Sequence, residues 1–67
     1  MSIAKVTEVI ASSTVGIEDA VRQGVARAAK TLDQVQGVWV SDITCDVKGG
    51  DVVEWRVRLK ITFVLTD

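Results

Sequence analysis

The most constraining feature is a thirteen-residue stretch near the end of the chain with strict two-residue alternation. Val53, Trp55, Val57, Leu59, Ile61, Phe63 and Leu65 fall on one parity. Glu54, Arg56, Arg58, Lys60 and Thr62 fall on the other. Only an extended strand places alternate residues on opposite faces, so this pattern specifies a long strand with one apolar and one charged side. A strand at 52–65 needs neighbours to satisfy its backbone and a layer to cover its apolar face. Its length places it in the middle of an antiparallel sheet.

The rest of the sequence supplies both. Residues 3–11 read as a first strand, with Ala4, Val6, Glu8 and Ile10 on one side and Ile3, Lys5, Thr7 and Val9 on the other. Ser12, Ser13 and Thr14 then offer hydroxyls for a helix N-cap, with Ser13 the favoured one. A helix follows from about 14 to 33. Ile17, Val21, Val25, Ala28 and Leu32 recur in steps of three and four and form its apolar stripe. Glu18 and Asp19 in the first turns suit the positive end of the helix dipole. Gly24 costs about 1 kcal/mol relative to alanine in a helix interior, so its place beside Val25 and Ala28 implies close packing of another backbone. Gly37 is the expected stop after the helix. A second strand at 38–47 changes apolar parity, from Val38 and Val40 to Ile43, Cys45 and Val47. That change calls for a bulge near Ser41-Asp42. Lys48-Gly49-Gly50-Asp51 then forms a tight hairpin turn. The expected fold class is α+β: a single β-α-β-β domain over 1–67, with a three-stranded antiparallel sheet wrapped on one helix.

Size adds a further constraint. A chain of 67 residues buries only about 60% of its unfolded surface, and domains this small usually need a staple. Cys45 is the sole cysteine and histidine is absent, which removes an intrachain disulfide and a Cys/His zinc site. With 48% hydrophobic residues, the surplus apolar surface points to a subunit interface.

Composition also limits function. A net charge of −1 argues against a general nucleic-acid binder. No apolar run is long enough to span a membrane, and the first residues lack a signal-peptide pattern. A lone cysteine, expected in the core, suits a reducing compartment, so the expected location is cytoplasmic. Without histidine there is no Ser-His-Asp triad and no Cys-His pair. Gly24 to Lys30-Thr31 has the wrong spacing for a phosphate loop. Asp42 and Asp46 lie about 13 Å apart along a strand, too far for a general acid/base pair. The expectation is therefore no enzyme, no catalytic residues and no metal motif.

Three features remain open to function. Arg56, Arg58 and Lys60 share one face of the last strand, which is either a solvated face, a subunit interface or an anion-binding surface. Trp55 lies on the apolar face and fills core or interface. Trp39 has the parity opposite to Val38 and Val40, so it leaves the helix side. An indole there is either an interface contact or a stacking platform for a flat ligand.

The sequence resembles the dodecins, small flavin-binding proteins that assemble as hollow dodecamers. The resemblance covers nearly the whole chain. It runs through Lys5-Val6-Thr7-Glu8-Val9-Ile10, Ser12-Ser13, Ile17-Glu18-Asp19-Ala20-Val21 and Ala26-Arg27-Ala28-Ala29-Lys30-Thr31-Leu32. It closes with Val53-Glu54-Trp55-Arg56-Val57 and Leu59-Lys60-Ile61-Thr62-Phe63-Val64-Leu65. The resemblance implies a homododecamer that stores or sequesters a flavin, riboflavin or FMN, without catalysis. The ligand site departs from the family pattern. The family's stacking tryptophan falls at Gly37, and its ring-edge glutamine falls at Arg56. Trp39, two residues on and on the same strand face, is a displaced platform. Arg56 still offers hydrogen-bond donors to ring carbonyls, and Arg58 and Lys60 attract phosphate if they face the same chamber. The candidate ligand residues are thus Trp39, Arg56, Gly37 and Arg58. The alternative is a flavin-free structural shell, with Arg56 paired to a carboxylate such as Glu54 or a neighbour's Asp42. That shell has room for another small anion or a metal ion.

Overall fold

The structure, a computed structural model, describes residues 2–65. Strand β1 (Ala4–Ser13) leads to helix α1 (Ile17–Ala29), then to strands β2 (Val35–Lys48) and β3 (Asp51–Val64). The sheet order is β1-β3-β2 and both pairings are antiparallel. The longest alternating segment is therefore the central strand, as its pattern requires.

The hairpin between β2 and β3 turns on Gly49 and Gly50, whose φ angles are 59° and 82°. Two successive positive φ values define the mirror-image turn that matches strand twist, and glycine adopts them without strain. Counting outward, the register shifts between Asp46 and Val47 and again between Val40 and Asp42. The second shift leaves Ser41 as the extra residue, and its hydroxyl donates to the Arg58 carbonyl over 3.3 Å. This bulge sends Asp42, Thr44 and Asp46 to the charged side of β3, and Ile43 and Cys45 to the helix side.

The core is narrow. Val57, Leu59 and Ile61 of β3 are fully buried, and Ala20 and Ala28 of α1 close on them. The buried line of the helix is Ala20, Gly24 and Ala28, four residues apart along one stripe. Val21 and Leu32 pack at its margin, while Ile17 is 38% exposed. The expected stripe is thus rotated toward its smallest residues. Gly24 explains why: a Cβ there would meet the Leu59 and Ala11 side chains.

Several boundaries differ from the sequence expectation. The helix begins at Ile17 and ends at Ala29, shorter at both ends than 14–33. Ser13 is not the N-cap; Gly16 is. The Ser13 hydroxyl instead accepts from the Val15 and Gly16 amides and donates to Asp19, so it braces the turn that enters the helix. Gly37 is no helix stop but lies within β2. The left-handed position after the helix is Gln34, with φ 53°. Cys45 is exposed, not in the core.

Length mismatch sets the shape. A thirteen-residue helix spans about 20 Å, whereas fourteen-residue strands reach about 46 Å. The molecule measures 52 × 19 × 13 Å, and the β2–β3 ribbon runs past the helix toward the Gly49-Gly50 turn. Ile43, Val47, Val52 and Val53 are exposed there. Among the described residues, no helix is long and apolar enough to cross a membrane.

Candidate functional site

The side of the sheet facing away from α1 carries the charged residues, and cross-strand register places them in rows. Ile10 of β1 lies opposite Arg58, which lies opposite Asp42 of β2. One row along, Glu8 lies opposite Lys60, and Lys60 opposite Trp39. In the other direction Ser12, Arg56 and Thr44 form a row. Glu54 and Asp46 form the next. Trp39, Gly37, Arg56 and Arg58 therefore all share one face.

They are not all adjacent. Trp39 sits beside Lys60, and Arg56 lies four residues away along β3, about 13 Å at strand rise. Arg58 is the nearer arginine, about 7 Å along the strand from the Trp39 row. Gly37 lies opposite Thr62 at the other flank of Trp39, and nothing stands within 4 Å of where its Cβ would be. The indole is 63% exposed and has an open shelf on that side.

Both arginines are held by carboxylates. Arg56 Nη1 donates to Asp46 Oδ1 at 3.2 Å and Nη2 to Asp46 Oδ2 at 2.9 Å, a two-pronged pairing. Its Nη2 also donates to Glu54 Oε1 at 2.8 Å. Those hydrogen bonds from Arg56, and next its charge, hold the Asp46 carboxyl below the usual carboxylate range. The Asp46 hydrogen bonds and charge raise the Arg56 guanidinium in turn. Arg58 reaches Glu8 on β1 at 3.3 Å and Asp42 on β2 at 3.6 Å. It thus ties all three strands together. These pairs are solvent-exposed, so each adds little to stability, and their main effect is to fix side-chain positions.

Lys60 was grouped with the arginines by the sequence pattern but behaves differently. Its Nζ stands 4.5 Å from the centroid of the Trp39 ring. Counting residue by residue from the Gly49-Gly50 turn already pairs Trp39 with Lys60, because the shifts at Asp46/Val47 and Val40/Asp42 cancel. That signal was available in the sequence. So was one arginine–carboxylate pair, Arg56 with Glu54, which the flavin-free alternative named; the pairs to Asp46, Asp42 and Glu8 were not, since they depend on the register of both outer strands.

Two other features lie off this face. A furrow of about 540 Å³ runs between α1 and the unpaired edge of β1, lined by residues including Val9, Ala11, Arg27 and Leu32. It contains none of the sequence candidates. Trp55 lies on the helix side, half-buried opposite Cys45 and Ser13. Among the described residues, no group of three or more acidic, cysteine or histidine side chains is arranged to hold a metal.

The family model described as dodecin matches residues 3–66. Among solved structures, dodecin from Streptomyces coelicolor shares 35% identity with a TM-score of 0.92, covering 98% of this chain and 94% of that one. An arginine-to-alanine mutant of the Thermus thermophilus dodecin shares 30% identity with a TM-score of 0.94, with both chains covered in full, 100%. The calcium dodecin of Mycobacterium tuberculosis, described as calcium-chelating with a novel calcium-binding site, shares 25% identity. Its TM-score is 0.82, with 97% of this chain and 93% of that one covered. No curated protein matches the chain.

Proposed function

The chain belongs to the dodecin family, and on that premise we propose that it is a non-catalytic, self-assembling protein that holds a flavin-like ring against Trp39. One observation carries this reading. A large indole is left 63% exposed on a sheet face, with open space at Gly37 on one flank and Arg58 on the other side of its row. Stacking on an exposed aromatic is worth about 1–3 kcal/mol, which is enough to orient a flat ring. Riboflavin and FMN are the ligands the reading names, held for storage or sequestration in a cytoplasmic homododecamer.

The residues divide the work. Trp39 supplies the face for stacking, and Gly37 leaves the shelf beside it. Arg58 lies within reach of the same ring. Arg56 lies two rows further along β3 and is already held by Asp46 and Glu54, so it is the less available donor to a ring on its own subunit's Trp39. The exposed apolar residues of the far ribbon and of the outer face, such as Ile43 and Ile10, are the surplus that assembly covers.

A specific observation favours a second reading, a shell without flavin. Arg56 stands where the family carries its ring-edge glutamine, and Asp46 and Glu54 already occupy the guanidinium. Cation binding, by analogy with the calcium dodecin, has weaker support, because Glu8, Asp42, Asp46 and Glu54 each already face an arginine.

The test is a titration with riboflavin and FMN, followed by tryptophan fluorescence, on protein whose mass is set by light scattering. Quenching by a dodecamer supports the flavin reading. A dodecamer that flavin does not quench supports the empty shell.

A further inference from the structure

We propose that Lys60 is the specificity-determining cation of this face and selects flat aromatic ligands that carry negative charge. The proposal rests on the stacking role of Trp39 and goes beyond it. Three cations lie on the face near the indole. Arg56 is taken by Asp46 and Glu54, and Arg58 by Glu8 and Asp42. Lys60 has Glu8 as its direct partner across β1, yet the Glu8 carboxylate goes diagonally to Arg58. Among the described residues Lys60 has no carboxylate partner, and its ammonium rests over the Trp39 ring at 4.5 Å.

That resting position is weakly held. An exposed cation–π contact is worth less than a charge-assisted hydrogen bond to an anion. A ring that stacks on the indole face under the ammonium competes with it for that surface. An uncharged ring displaces Lys60 and returns nothing. A ring bearing a phosphate or another anionic group gives the displaced ammonium a partner, and the four-carbon stem lets it swing there without backbone movement. The two arginines cannot answer the ligand in this way without breaking ion pairs that already hold them. Charge selection therefore falls to Lys60.

The test compares riboflavin with FMN, which differ by one phosphate, on the assembled full-length protein. Affinities are read from quenching of flavin fluorescence. The wild type is expected to bind FMN about fivefold to tenfold more tightly, and the advantage to shrink with added salt. Lys60→Met, matched to the wild type in mass by light scattering, loses the FMN advantage while riboflavin affinity holds or rises. Lys60→Arg retains the advantage. Equal binding of both flavins by the wild type, or an FMN advantage unchanged in Lys60→Met, overturns the role of Lys60 and leaves the stacking reading standing. If Lys60→Met does not assemble, Lys60→Gln replaces it under the same criteria, and the wild-type comparison alone still decides against the proposal when the two flavins bind equally. Binding of neither flavin removes the stacking reading and the Lys60 proposal together.

Discussion

Gly24 of α1 lies so close to β3 that a Cβ built on it stands 2.5 Å from Leu59 Cδ1 and 3.1 Å from the Ala11 Cβ. Leu59 is fully buried, so its methyl can give way only by repacking its neighbours. Gly24→Ala gains about 1 kcal/mol of helix propensity but overpacks a tight core, which costs about 1–3 kcal/mol. The expected net result is a less stable protein, read as a lower denaturant midpoint with unchanged slope. A midpoint at or above the wild type would show that the helix–sheet spacing has slack.

The Asp46–Arg56 pair sets a pH dependence. Asp46 titrates below its ordinary value because Arg56 donates hydrogen bonds to it and adds its charge. A carboxylate lowered in the folded state adds stability that is fully present above its unfolded pKa, about 3.9, and is lost as pH falls through the folded value. Acidifying from pH 5 to below pH 3 should therefore weaken the wild type more than Asp46→Asn. The check is the denaturant midpoint at both ends of that window, and parallel losses in the two proteins would remove Asp46 from the account.

Much of the architecture was legible because one strand announces itself. The alternation from Val53 to Leu65 gave the central strand, and Gly49-Gly50 gave the hairpin that hangs on it. The parity change after Val40 located the bulge that the register confirms. The helix ends were less legible. Ser13 has the chemistry of a cap, yet its hydroxyl is spent on the turn at Val15 and Gly16. Gln34 adopts a left-handed conformation that glycine would have advertised. Cys45 looked like core because it alternates with Ile43, but the helix is too short to cover that part of the ribbon. Alternation reports which face a residue occupies, not whether anything lies over that face. At the candidate site, the shared face of Trp39, Arg56 and Arg58 followed from parity alone. The Arg56–Glu54 pair was also named from the sequence, whereas the distance between Trp39 and Arg56, and the Asp46, Asp42 and Glu8 carboxylates that hold the arginines, required the full register.

The uncovered ribbon makes a prediction about assembly. Ile43 is 51% exposed on the helix side of β2, across from the fully buried Val57. If that surface is an interface, Ile43→Lys buries an unpaired charge in it, which is strongly unfavourable. Light scattering should then show subunits or partial assemblies in place of the full oligomer. An unaltered mass would place Ile43 outside any contact.

The most direct test of the central claim is the flavin affinity of Trp39→Ala, measured alongside its assembly mass. The account predicts an intact oligomer that binds flavin at least about fivefold more weakly, in line with the loss of one stacking contact of about 1–3 kcal/mol. An intact oligomer with unchanged flavin affinity would contradict the stacking role of Trp39. An assembly that falls apart would instead make Trp39 a contact between subunits.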